Sequence, residues 1–268
     1  MRCLSIILLI ITDIFAIAGT EGSFLSEQEE YLAREYEELM ALQPEKRHEA
    51  ADIFYDHFIN CIQNDSSFNY AFSKLSNIGK IYSGDNLMRI YTWNIPVNLN
   101  ENSYYGVVQY HSKPQKKNLI YLLNKSGDNI LLPPDQKWES KLYYKAIETR
   151  HDGRRYYTLL GYDMNTPLSN KKSVEVIYFD ENENLVFCHD KIKVNQKLVP
   201  KLVFEYNEKA AMGLQYNEKM KMIVFDHLSP SKPSLTGQYE FYGPDFTYDG
   251  LRWEDGVWNY LEKIDVTN

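Results

Sequence analysis

Two stretches in the C-terminal part of the chain carry the residue types best suited to chemistry. In Val224-Phe225-Asp226-His227-Leu228-Ser229-Pro230, a strand-like run ends in an Asp-His pair and enters a proline loop. Strand ends of this kind are where a rigid scaffold presents polar groups. His227 can serve as a base near neutral pH. In a regular strand Asp226 and His227 point to opposite faces, so they form no simple dyad. Ser229 is too close in sequence for an ordinary triad unless the loop folds back. The plainer reading is turn-forming Asp and Ser beside an edge histidine.

The second stretch is Tyr242-Gly243-Pro244-Asp245-Phe246-Thr247-Tyr248-Asp249-Gly250, read as a loop because Gly243-Pro244 and Asp249-Gly250 are turn formers. Asp245 and Asp249 could face one another and divide acid and base roles in glycoside cleavage. They could also ligate a hard cation such as calcium, although their spacing does not fit an EF-hand loop. A structural corner, with Asp side chains bonding turn amides, is the reading preferred. The aromatic residues around it, Tyr239, Phe241, Tyr242, Phe246 and Tyr248, form a candidate contact surface.

Other constellations are weaker. His48-Glu49 resembles the start of a zinc helix, but Asp52 stands where the second His belongs. His48, Asp52 and Asp56 share a helical face by i, i+4 spacing, and a solvated face is the expected reading. No metal is therefore expected. No P-loop, GxGxxG, GxSxG or HExxH occurs, and no cofactor is expected. The net charge is −8, and Lys116-Lys117, Arg154-Arg155 and Lys171-Lys172 are isolated pairs. Nucleic-acid binding needs clustered cations, so it is excluded. Cys61 and Cys188 could form one bridge across a long loop or remain as two buried thiols. The 22 tyrosines suit either a stacking surface for flat ligands or half-buried strands.

These groups must be positioned by two kinds of element. The N-terminal part is helical. Ser26 with Glu29 reads as a capping box. Leu25, Leu32, Leu39 and Leu42, with Tyr31 and Tyr36, give an apolar side. Gln43-Pro44 interrupts this helix and opens a second one with the stripe Ile53, Phe54, Phe58, Ile59 and Ile62. Asn64 to Ser67 ends it and caps a short third helix. From about Asn86 the period changes to short Tyr/Val/Ile/Phe runs between turn residues. Strands are predicted at 87–95, 104–110, 119–123, 141–149, 156–162, 174–179, 185–189, 202–206, 212–216, 220–225, 251–253 and 257–260. Asp152-Gly153 and Asp255-Gly256 are tight-turn signals. Two Tyr-Asn-Glu-Lys turns, Tyr206–Lys209 and Tyr216–Lys219, are read as links of one meander.

Residues 1–18 read as a cleavable leader, with a basic start, the apolar run Ser5 to Ile11 and Ala16-Ile17-Ala18 before a cut at Gly19. The run is too short to span a bilayer, and no later segment is long enough. The expected destination is outside the cytoplasm: periplasm, cell surface or medium. The predicted class is α+β, as a single domain over 19–268. A helical segment at 19–76 precedes a β-rich region at 86–268, a large antiparallel meander that curls or splits into two layers.

The C-terminal half resembles an uncharacterised family of exported Bacteroidota proteins. The carrying residues are Tyr157-Thr158-Leu159-Leu160-Gly161-Tyr162-Asp163, Val224 to Pro230, and Tyr242 to Gly250, with Trp258 and Asp265 to Asn268 similar too. The resemblance runs from about Ser67 onward. It implies bacterial export and unmodified sequons at Asn64 and Asn124, and it assigns no residue a role. Two functions follow as expectations. The first is a non-enzymatic binding module for a protein partner or an envelope glycan. The alternative is a hydrolase of envelope or extracellular polymers using Asp226, His227, Asp245 and Asp249.

Overall fold

The computed structural model describes residues 4–98, 100–124, 129–132 and 138–266, with side chains from Ser23 onward. Of the expected leader, residues 1–3 lie outside the described residues and 4–18 are described without side chains; the Lys125-Ser126 part of the second sequon and Thr267-Asn268 also lie outside. Helix α1 (Leu4–Ala41) runs straight through Ser26, which is therefore no cap. Glu29, freed from a capping box, turns inward and accepts from the Tyr70 hydroxyl (2.8 Å) and the Lys74 amide (2.6 Å). Pro44 opens a 3-10 turn (Pro44–Lys46) and α2 (Arg47–Ile62) follows, as expected. Arg47 satisfies the loose carbonyls at the end of α1, donating to Met40 and Leu42. Leu25, Leu32, Leu39, Phe54, Phe58 and Ile62 are buried. Tyr31, Leu42 and Ile53 were expected on the apolar sides but are exposed. Asn64 caps a further 3-10 turn (Asp65–Asn69) through its side chain, accepting from the Ser66 amide.

The α+β class holds, and the strands divide into three stacked sheets rather than one curled sheet or two layers. The first is an antiparallel meander of β1 (Gly79–Tyr82), β2 (Met88–Asn98), β3 (Glu101–Ser112) and β4 (Lys117–Leu122). The second joins β5 (Ile130–Leu131), β6 (Leu142–His151), β7 (Arg154–Thr166), β8 (Ser169–Phe179) and β9 (Leu185–Phe187). The third contains β10 (Ile192–Val194), β11 (Lys197–Val199), β13 (Leu214–Asn217), β14 (Met222–Pro230), β15 (Tyr242–Glu254) and β16 (Val257–Leu261). β12 (Lys201–Asn207) pairs with β8 and belongs to the second sheet. The Tyr206–Lys209 turn consequently carries the chain between sheets and is no hairpin. Tyr216–Lys219 is one, joining β13 to β14.

Side-chain alternation explains the stacking. On β2, Tyr91, Trp93, Ile95 and Val97 face the helices, while Met88 and Ile90 face the second sheet. On β7, Tyr157 and Leu159 face the first sheet, while Tyr156 and Leu160 face the third. Central strands that bury both faces read as continuous apolar runs. Trp258 on β16 is wholly buried against the second sheet and donates to Thr158 Oγ1 at 2.7 Å. Between the first two sheets, Lys141 and Tyr143 both donate to the buried carboxylate of Glu175, at 2.5 and 2.6 Å. Cys61 and Cys188 are separate buried thiols in different core layers. Burial pushes their pKa values up to about 11 and about 12. Asp152-Gly153 and Asp255-Gly256 adopt positive φ at both residues, the conformation of the tight turns expected there. Among the described residues no helix is long and apolar enough to cross a membrane.

Candidate functional site

The stretch Tyr242 to Gly250 is strand, not loop. β15 pairs with β14 on both sides of an irregularity: Asp226 lies opposite Tyr248, and Leu228 opposite Pro244. One residue of β14, His227, therefore faces three of β15: Asp245, Phe246 and Thr247. The Gly, Pro and Asp of this stretch shape a wide bulge within a ladder. Bulges of this kind re-aim side chains and recur beside functional sites.

His227, Asp249 and Tyr260 project from one face of the third sheet, the face that also carries Phe225 and Leu251 into the core. Asp249 is 0% exposed and accepts from three directions. Its Oδ2 takes His227 Nδ1 at 2.7 Å and the Tyr260 hydroxyl at 2.5 Å, and its Oδ1 takes the Lys263 amide at 2.9 Å. Burial opposes the charge on Asp249, but these hydrogen bonds outweigh it and hold the carboxyl below its ordinary pKa. The same burial raises the pKa of Tyr260, with the adjoining carboxylate adding to it. Asp249 thus fixes the imidazole with Nδ1 inward. Nε2 points outward and lies 4.0 Å from Asp245 Oδ2.

Asp245 is itself engaged. Its Oδ1 accepts from the Thr247 hydroxyl (2.7 Å) and amide (3.1 Å), which lowers its pKa. Asp226 turns away from the histidine and accepts from the Gly213 amide at 2.6 Å. The structure therefore brings together His227, Asp245 and Asp249 and leaves Asp226 out. Asp245 and Asp249 do not face each other; both address His227. Tyr260 and the Lys263 amide complete the group and were not singled out from sequence. The available signal was Tyr260 two positions after Trp258 on a strand, which puts both on neighbouring face positions only once the partner strand is known.

The aromatic candidates lie on β15 and on the 3-10 turn (Tyr239–Phe241) that precedes it. Phe246 stands at the crest of the bulge, 92% exposed, with φ +68°. Tyr239, Phe241 and Tyr248 are also exposed, and the Tyr239 and Tyr242 rings lie 5.1 Å apart. The helical candidates do not assemble: Asp52 accepts from Tyr105 (2.9 Å). Among the described residues no group of three or more His, Cys, Asp or Glu is placed to hold a metal ion. Asn64 and Asn124, the sequon residues, use their side chains internally, on Ser66 and on Gly106 and Tyr104 respectively. No family model, no curated protein and no solved structure matches the chain.

Proposed function

We propose that this is an exported binding module for an extracellular or envelope glycan, with the bulged end of β14 and β15 as its contact surface. One observation carries the reading: Phe246 is held almost wholly in water, on a backbone conformation that costs a non-glycine residue roughly 1–2 kcal/mol. A folded chain gains nothing from that arrangement by itself. A sugar ring laid on the phenyl face would remove apolar area from both, and about 100 Å² so covered contributes about 2.5 kcal/mol. Asp245 and His227, on the same bulge, supply a carboxylate and an imidazole as partners for hydroxyl groups. The leader-like residues 1–18 supply the export part of the reading.

The engagement of Asp226 and Asp245 in backbone and turn hydrogen bonds favours binding over polymer hydrolysis, since neither is free to act as a mobile acid. One observation supports hydrolysis instead: His227 is oriented by a buried carboxylate as a general base would be. A glycan array probed with the purified protein and its Phe246→Ala variant separates the two. Binding requires retained glycan spots that the variant loses, with the glycans recovered intact. Cleaved glycans, with cleavage lost in His227→Ala, would establish hydrolysis. Absence of both signals at high micromolar protein would overturn the proposal.

A further inference from the structure

A second site lies where the second sheet extends beyond the cover of the third. Register places Leu142, Tyr162, Lys172 and Phe204 side by side across β6, β7, β8 and β12, and Asn170 opposite Tyr206. On the same sheet face, Leu160, Val174 and Val176 pack under the third sheet. Further along, the covering strands stop and an open cavity of about 530 Å³ remains. Its walls include Tyr144, Tyr162, Tyr206, Lys172, Asn170 and Met212. That volume falls within the range of small-molecule sites, roughly 300–1,000 Å³, and a wall of three tyrosines and aliphatic side chains with few polar groups fits the same pattern.

The polar chemistry of the cavity is one-sided. Among the described residues none that lines it is acidic. Lys172 donates to the Met212 carbonyl at 2.6 Å and sits 5.7 Å from the Tyr144 ring centre. A single carbonyl leaves a three-donor ammonium with capacity for an anion. Burial lowers the lysine's pKa, opposed by the Asp226 carboxylate behind the Ala210 to Gly213 segment. The hydroxyl of Tyr144 is used on the Leu214 carbonyl and that of Tyr162 on Asn170 Oδ1. Those hydrogen bonds hold the rings in place and leave the Asn170 amide group as a further donor; it also reaches the Glu208 carbonyl at 3.2 Å.

We infer that this cavity binds a small planar organic acid, its ring among Tyr144, Tyr162 and Tyr206 and its carboxylate on Lys172. The assignment rests on the volume, the three tyrosines and the Lys172 ammonium, and it does not depend on the glycan reading. The segment that walls it, Ala210 to Gly213, is tied to β14 through the Asp226–Gly213 contact. The test is calorimetric titration of the full chain with 2-naphthoate and with its neutral amide. The acid is expected to bind at least tenfold more tightly than the amide, and Lys172→Met is expected to remove that preference. Equal affinity for acid and amide, or no heat from either at millimolar concentration, would overturn the inference. The comparison of the two ligands uses the unmodified protein, so it stands even if Lys172→Met fails to fold.

Discussion

Replacing Asp249 by Asn tests the reasoning about the histidine group most directly. The side chain keeps its shape and its burial but loses its charge and one acceptor. If the amide oxygen stays on His227 and Tyr260, the new NH2 meets the Lys263 N–H, and two buried donors oppose each other. An unsatisfied buried donor costs about 1–3 kcal/mol, and loss of charge assistance on the other two bonds costs about 1 kcal/mol each. The variant should therefore be less stable by about 3–5 kcal/mol at pH 7, a loss of over a hundredfold in the folding equilibrium. The pH dependence gives the sign. Asp249 has a folded pKa below its reference value of 3.8. Its stabilisation is present above pH 4 and is lost as pH falls through the depressed folded value. Guanidinium unfolding followed by tryptophan fluorescence, at pH 7 and at steps below pH 4, should show a gap between the two proteins that narrows on acidification. Equal stability at pH 7, or a gap that stays constant in acid, would refute the assignment of a charged, triply bonded carboxylate.

Three further outcomes are expected. Trp258→Phe should lower stability by about 1–3 kcal/mol by leaving the buried Thr158 hydroxyl without its partner, and Thr158→Val in the same chain should recover part of it, read as Tm. Gly256→Ala should cost about 2–4 kcal/mol: its φ is +77°, and an added Cβ would stand 2.3 Å from the His151 ring, so strain and overpacking add. Phe246→Gly should raise Tm, by relieving a left-handed phenylalanine worth about 1 kcal/mol, while abolishing any glycan retention; a lower Tm would show that the ring packs on the protein itself.

Much of the architecture is readable from local patterns, because turn chemistry and alternation act over a few residues. Asp152-Gly153 and Asp255-Gly256 specify their turns without reference to anything distant. The interruption at Pro44 is equally local. The partition into three sheets is not. β12 leaves its sequence neighbours to pair with β8, and that choice rests on which apolar faces meet across the stack. β10 and β11 are too short to announce themselves, and β10 is recruited by the distant β16. The helix start was misread at Ser26 because a good cap residue and a good helix interior differ only in what precedes them. At the site, alternation correctly separated Asp226 from His227. It could not supply the bulge that delivers Asp245 and Asp249 to the same imidazole, since a three-against-one register is a property of the pair of strands. Phe246 was noticed as an aromatic residue, but its display in water follows only from that register.

The parallel pairing of Ile192 with Trp258 has a consequence for how the molecule is made. The indole that fills the layer between the second and third sheets emerges from the ribosome long after the strand it must join. Until then β10 has an open edge and Thr158 has no donor. Closing so wide a sequence gap is an entropic cost met late in folding. A nascent chain interrupted before residue 257 should accordingly stay protease-sensitive in its middle third.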